Sequence, residues 1–124
     1  MNTEASPLNP QAEQMADESM VRTLDAQARA IWPQERLLID RYVLPSDARI
    51  LDAGCGTGEG ASRVAEHFPQ AQVLGVDVID RSLELARSRF AHLAPRLSFE
   101  RRSVFGLELS PQSFDLTVCR QSST

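Results

Sequence analysis

The apolar positions of the N-terminal part of the chain follow a helical period. Between residues 11 and 31 the residues that share this face are Met15, Met20, Leu24, Ala28 and Ile31. Because proline lacks a backbone N–H and clashes with the preceding turn, we expect Pro33 to end this helix. The segment that follows predicts a second helix that ends before Pro45. We therefore predict a helical segment over residues 11–44, preceded by a polar, flexible tail over residues 1–10.

From residue 45 onward, short apolar runs alternate with helical periods. Four runs predict buried strands, and they read ARILDA, AQVLGVDV, RLSFERRSV and FDLTVCR. The faces of two intervening helices are formed by Ala61, Val64, Ala65 and Phe68, and by Leu83, Ala86 and Phe90. Asp80 is predicted to cap the second of these helices, and GLELSPQS is predicted to be a loop. This alternation predicts an α/β domain over residues 45–124, with a parallel sheet and right-handed crossovers.

Composition narrows the class of protein. Of 124 residues, 42% are hydrophobic and 24% are charged, which is typical of a globular domain. The net charge of −4 argues against a nucleic-acid surface, and no apolar run approaches the roughly 20 residues that a membrane helix needs. The first residues lack the basic and apolar blocks of a secretory signal. The two cysteines, Cys55 and Cys119, are expected to be free thiols. We therefore predict a cytoplasmic protein without nucleic-acid, membrane or metal partners.

Three alternating glycines, Gly54, Gly56 and Gly58, lie between the first predicted strand and the helix after it. Ligands of parallel α/β sheets bind beyond the carboxyl ends of the strands, where glycine lets the backbone approach them closely. A dinucleotide-binding loop is one interpretation, because Gly56, Gly58 and Ala61 fit the pattern G-x-G-x-x-A. Counting from Gly54, however, places Glu59 at the third glycine position, where its charge would repel a pyrophosphate.

The segment ILDAGCGTGEGASRVAEHFPQAQVLGVDVIDRSLELAR resembles the first two motifs of class I S-adenosylmethionine-dependent methyltransferases. The residues that match are Asp52, Gly54, Gly56, Gly58 and Asp77. The resemblance implies a Rossmann-like sheet with the strand order 3-2-1-4, S-adenosylmethionine as the cofactor and a methyl acceptor that we expect to be a small molecule. A sulfonium is positively charged and carries no phosphate, so acidic residues around the loop are compatible with it.

The resemblance also implies roles for single residues. Asp77 would accept hydrogen bonds from both ribose hydroxyls, and Asp52 would order the loop and the amino-acid end of the cofactor. Cys55 belongs to the loop, and Val78 would flank the adenine. Where the family often has an acidic residue that contacts the adenine amino group, this chain has Ser103, which can accept one hydrogen bond. No catalytic residue is assigned.

Other interpretations of the same residues remain open. Asp52 could accept N–H groups of an Asx-type turn, and Asp77 could be a solvated strand end. Gly60 could permit close helix packing, and Val78 and Ile79 could belong to the core. At the level of function, the alternatives are a fragment of a nicotinamide-dependent oxidoreductase and a Rossmann-like binding module without catalysis.

The family sheet has seven strands, whereas this sequence predicts four. We therefore expect a methyltransferase domain truncated after its fourth strand, with little or no turnover by itself. The fourth strand would then be an edge that carries Phe114, Leu116 and Val118. Because apolar unpaired edges favour pairing with other chains, self-association through this edge is expected.

Overall fold

A computed structural model describes residues 10–103 and 113–119. Its four strands are parallel and lie in the order β3-β2-β1-β4. They are β1 (Arg49–Ala53), β2 (Gln72–Asp77), β3 (Leu97–Arg101) and β4 (Leu116–Cys119). In register, Ile50 of β1 faces Val73 of β2 and Leu116 of β4. The predicted α/β class and strand order are therefore confirmed.

The helices are α1 (Pro10–Ile39), α2 (Glu59–His67) and α3 (Asp80–Arg89), followed by a short 3-10 turn at Ala91–Leu93. One face of the sheet and the inner sides of α2 and α3 share a single apolar core. Its members include Ile50, Val64, Val73, Leu83, Ala86, Leu97 and Leu116. A smaller cluster on the other face consists of Leu51, Ala53 and Val76, with Leu74 and Phe114 beside it. Full burial of one such aliphatic side chain stabilises the fold by about 1.5–3 kcal/mol, so β1 is held from both faces.

The prediction that Pro33 divides the N-terminal segment into two helices is wrong, because α1 runs through Pro33 without interruption. A proline inside a helix removes one backbone hydrogen bond and costs about 3 kcal/mol. Here the residues on both sides of Pro33 pack against the core of the domain. Trp32 packs against the core and meets the His67 ring edge-on at 5.7 Å between centroids. On the other side, Ile39 is only 4% exposed.

The inner face of α1 also differs from the expected one. Leu24 and Ala28 are half-buried as predicted, but Met15, Met20 and Ile31 are exposed. Trp32 takes the inward position next to Ile31, since its larger apolar ring fills more of the space against α2. Ion pairs tie α1 to the other helices, from Asp25 to Arg63 and from Asp17 to Arg81. At the end of α1, Asp40 Oδ1 lies 2.7 Å from His67 Nε2.

Asp80 does not cap α3. The helix begins at Asp80 itself, Ile79 is the residue before it, and no side chain caps that end by a hydrogen bond. Residues 1–9, which include most of the predicted tail, and residues 104–112, which include most of the predicted loop, lie outside the described residues. Within the described residues, no helix is long and apolar enough to cross a membrane.

Gly75 lets the loop after β1 lie directly against β2. A Cβ at Gly75 would lie 2.8 Å from Cδ1 of Phe99 and 3.0 Å from Cβ of Cys55. A Cβ atom cannot lie this close to other heavy atoms unless the neighbours move. The glycine inside β2 therefore makes room for two side chains, and one of them, Cys55, belongs to the glycine loop. Glycine inside a strand pattern is a sequence signal of such close approach.

We predict that Gly75→Ala lowers the free energy of unfolding by about 1–3 kcal/mol, the usual range for overpacking a close-packed core. The measurement is urea denaturation followed by circular dichroism. Ser98→Ala, at an exposed position of the neighbouring strand, is the control and should change stability by less than about 0.5 kcal/mol. Equal stability of the two variants would contradict the close approach seen at Gly75.

Candidate cofactor site

The loop that follows β1 turns in a conformation that only glycine adopts readily. Gly54, Gly56 and Gly58 have φ angles of 77°, 56° and 90°. For any other residue, this left-handed region costs about 1–2 kcal/mol. The alternation of glycines in the sequence therefore has a backbone cause, because every second residue of the turn is left-handed.

The backbone of the loop is fixed to the last residues of β2. The carbonyl oxygen of Val76 accepts hydrogen bonds from the N–H groups of Gly54 and Cys55, at 2.8 and 3.0 Å. Within the loop, the N–H of Gly58 donates to the carbonyl oxygen of Cys55 at 3.0 Å. The loop is thus held beside the carboxyl end of β2, where a ligand of such a sheet is expected.

Asp77, the last residue of β2, joins the two loops that border this edge. Its Oδ2 accepts a hydrogen bond from the N–H of Gly56 at 2.8 Å. Its Oδ1 accepts from the N–H groups of Val78 and Ile79, at 2.7 and 3.1 Å. Asp77 is therefore not merely a solvated strand end. A carboxylate has about four acceptor directions, so these three bonds leave capacity for a further donor.

The other predicted site residues in the loop differ in where their side chains lie. A Cβ at Gly56 would meet no atom within 4 Å, so this residue faces open space. Gly58 is packed, since a Cβ there would lie 3.0–3.1 Å from Phe99, Ala86 and Phe90. The Cys55 side chain is 4% exposed and lies against Gly75. Any contact between Cys55 and a ligand would therefore come from its backbone. Both cysteines are free, as predicted.

Asp52 is 1% exposed and lies within β1, opposite Gly75 of β2 and Val118 of β4. The sheet therefore places a second carboxylate one strand away from Asp77 and two residues before the loop. Whether Asp52 orders the loop or serves an Asx-type turn stays a prediction.

Two further segments reach the same edge. Val78 and Ile79 are 52% and 55% exposed, so the alternative that they belong to the core is wrong. Arg101, the last residue of β3, lies opposite Asp77 in the register, and the N–H of Arg102 donates to the Asp77 carbonyl oxygen at 3.0 Å. Ser103 follows directly and is exposed. Val78 and Ser103, which were predicted to lie beside the adenine, therefore follow the ends of the neighbouring strands β2 and β3.

A buried polar group under the loop was not predicted from the sequence. Thr57 and Glu59 are 1% and 5% exposed, and Thr57 Oγ1 lies 2.6 Å from both carboxylate oxygens of Glu59. Arg89, at the end of α3, forms an ion pair with the same carboxylate. The Glu59 charge is thus paired with Arg89 inside the protein, so the prediction that this charge would repel a pyrophosphate at the loop is wrong. Because Glu59 and Arg89 are 30 residues apart in the chain, no local sequence pattern indicates that they pair.

Comparison with known proteins places this architecture in a family. A family model described as a methyltransferase domain matches residues 50–124, which is more than half of the chain. The chain belongs to the methyltransferase domain family. The matched region begins in β1 and contains the glycine loop, Asp77 and Ser103. The predicted resemblance to S-adenosylmethionine-dependent methyltransferases is therefore confirmed.

Individual relatives of this methyltransferase domain act on different acceptors. The chain is 44% identical over 69 residues to a trans-aconitate 2-methyltransferase of Deinococcus radiodurans, covering 56% of this chain and 24% of that protein. It is 39% identical over 77 residues to a tRNA1(Val) (adenine(37)-N6)-methyltransferase of Vibrio parahaemolyticus, covering 60% and 32%. Among solved structures, phosphoethanolamine N-methyltransferase 2 of Haemonchus contortus, in complex with S-adenosyl-L-methionine, has a TM-score of 0.63 and 30% identity. That match covers 73% of this chain and 21% of that one. The chain thus spans about a quarter to a third of the two curated relatives.

We predict that Gly58→Ala destabilises the methyltransferase domain more than Gly56→Ala does. Gly56→Ala should cost only the left-handed backbone strain of about 1–2 kcal/mol. Gly58→Ala adds crowding against three side chains, and the total should be about 1–3 kcal/mol larger. Urea denaturation of both variants beside the unchanged protein measures the difference. If Gly56→Ala proves the more destabilising, Gly56 does not face open space.

Proposed function

We propose that this chain binds S-adenosylmethionine and forms the cofactor-binding part of a methyltransferase that acts on a small-molecule acceptor. The observation that carries the proposal is the open side of Gly56, beside the Asp77 carboxylate. In the parts of the chain that the structure describes, no other left-handed glycine has both free space above its Cα and a carboxylate bonded to its N–H.

The residues around this opening fit the chemistry of the cofactor. The ribose hydroxyls are donors, and Asp77 keeps acceptor capacity toward the open side. Hydrogen bonds to a charged group are worth about 1.5–3 kcal/mol each, so a carboxylate that receives one or two of them contributes much of the affinity. The carboxylates of Asp52 and Asp77 would attract a sulfonium and repel a phosphate-bearing ligand.

The remaining predicted site residues would serve the adenine and the loop. Val78 is exposed next to Asp77 and offers an apolar surface for a base. The Ser103 hydroxyl can accept one hydrogen bond at the end of β3. Gly54, Cys55 and Gly58 would shape the loop, and only Gly56 would be approached closely. When bound, S-adenosylmethionine supplies an activated methyl group, and this chain's residues bind and orient it.

The proposal also covers the methyl acceptor, the domain boundaries within the chain and the cellular location of the protein. The trans-aconitate and phosphoethanolamine enzymes are named for small acceptors, and the charge of −4 disfavours nucleic acid. Residues 45–124 would form the cofactor-binding part, with 11–44 as the helical segment. Two free cysteines agree with a cytoplasmic location. Self-association through β4 stays a prediction, and the family match does not favour an oxidoreductase or a binding module.

The experiment that tests the proposal is a thermal-shift titration with S-adenosylmethionine, S-adenosylhomocysteine, NAD and NADP. A ligand that binds only the folded state at 100 times its Kd stabilises by about 2.7 kcal/mol. For a domain of this size we expect a shift of several degrees with the first two ligands and none with the dinucleotides. A shift with NAD or NADP alone would replace the proposal with the oxidoreductase alternative.

We predict that Asp77→Ala weakens the binding of S-adenosylmethionine by about 30–150-fold, because it removes bonds worth about 2–3 kcal/mol. Isothermal titration calorimetry at a temperature where both proteins are folded measures the change. Asp80→Ala is the matched control, since Asp80 is an exposed acidic residue three positions away. Its affinity should stay within about threefold of the unchanged protein. Equal affinities for the two variants would remove Asp77 from the site.

A further inference from the structure

The glycine loop is supported at two places by two different elements. Asp77 of β2 holds the N–H of Gly56, which is the side of the loop that faces open space. The other place lies under Gly58, where the end of α3 meets the loop. There, Phe90 Cδ2 would be 3.1 Å from a Cβ at Gly58. The sequence indicated an acidic residue at the end of β2, but neither of these two contacts with the loop.

The second support is a buried charged group. Thr57 and Glu59 stand on either side of Gly58, whose φ is 90°. Thr57 Oγ1 donates to the Glu59 carboxylate at 2.6 Å, and Arg89 pairs with that carboxylate from the last turn of α3. The Arg89 guanidinium also lies over the Phe90 ring, 4.8 Å from its centroid. Arg89 thus contacts both the Glu59 carboxylate and the Phe90 ring, the two groups that support the Thr57–Gly58–Glu59 turn.

The Glu59 side chain is only 7% exposed, and a charge buried to this extent needs a partner. Removing one member of a buried ion pair leaves the other charge without compensation, which drives the structure to rearrange until water reaches it. For Glu59, the rearrangement must move the turn that carries Gly58, because Glu59 is the first residue of α2. Loss of Arg89 would therefore change the conformation of the loop more than that of the sheet.

We propose that Arg89 is a positioning residue: acting through Glu59, it holds the turn at Gly58, and with it Gly56, in the conformation that accepts the cofactor. This inference rests on the proposed function for the identity of the ligand. The competing explanation is that the pair only fastens α3 to α2. That explanation predicts lower stability with an unchanged loop.

The experiment uses the whole 124-residue chain in four variants. Arg89→Met removes the charge, and Arg89→Lys keeps it. Arg87→Met makes the same change two residues away, where Arg87 donates to the Phe99 carbonyl oxygen at 2.8 Å. Val64→Ala, a fully buried position of α2, lowers stability without touching the loop. Each variant is assayed for S-adenosylmethionine affinity by calorimetry, for unfolding by urea, and for amide exchange of Gly54, Gly56 and Gly58 without ligand.

If Arg89 positions the loop, Arg89→Met weakens binding about tenfold, which is an ordinary coupling between contacting residues. It also speeds amide exchange of Gly56 and Gly58, because their hydrogen bonds open more often. Arg89→Lys, which keeps the charge, retains most of the affinity and most of the slow amide exchange of Gly56 and Gly58. Arg87→Met and Val64→Ala leave affinity and glycine exchange unchanged, even where Val64→Ala unfolds at lower urea.

The inference is overturned if Arg89→Met behaves like Val64→Ala, with lower stability but the same affinity and the same glycine exchange. If the unchanged chain does not bind S-adenosylmethionine, the proposed function fails. Amide exchange in the ligand-free variants then still decides whether Arg89 holds the loop. If Arg89→Met does not fold, the double variant Glu59→Gln/Arg89→Met takes its place in all three measurements. It leaves no buried charge but still lacks the ion pair that holds the turn, so weaker binding and faster exchange of Gly56 and Gly58 are again expected. Unchanged affinity and unchanged exchange in this variant overturn the inference.

Discussion

The fold depends most on how the backbone N–H groups of a left-handed turn find acceptors. After β1 the chain reverses through glycines, and such a turn cannot supply all of its own hydrogen-bond partners. The acceptors come instead from the end of β2, through the Val76 carbonyl oxygen and the Asp77 carboxylate. The loop can therefore take its shape only when β1 and β2 are paired in the observed register. In this way the candidate site and the centre of the sheet form together.

Small residues let these parts come close enough to bond. Gly75 accommodates Cys55 and Phe99, and Gly58 accommodates Phe99 and Phe90. The same phenylalanine at position 99 thus fills the space left by two glycines, one in a strand and one in the loop. Close packing of this kind transmits small changes, because a single added methyl group has no room. Residues outside the site consequently influence the shape of the loop.

The described part of the chain contains the candidate cofactor site. In the proposed function, the loop, Asp77 and the segment after it bind the cofactor, which all such methyltransferases share whatever their acceptor. Proteins named for a carboxylic acid, a tRNA and an amine each match 56–73% of this chain. The shared part of the fold therefore does not indicate the acceptor. This agrees with the general observation that sites, rather than folds, determine which reaction a domain performs.

The sequence by itself determined the alternation of strands and helices, the parallel sheet, the glycine loop and the acidic residue that ends β2, because these depend on local periodicity and on motif spacing. The strand order was predicted from the resemblance to a known family. It did not determine the continuity of α1 through Pro33, since packing of Trp32 and Ile39 against the core overrides the local preference of proline. Nor did it indicate that Glu59 pairs with Arg89, or that the Asp77 carboxylate bonds to Gly56. Only the tertiary structure decided these contacts, because they join residues far apart in the chain whose distance depends on how the helices and strands pack.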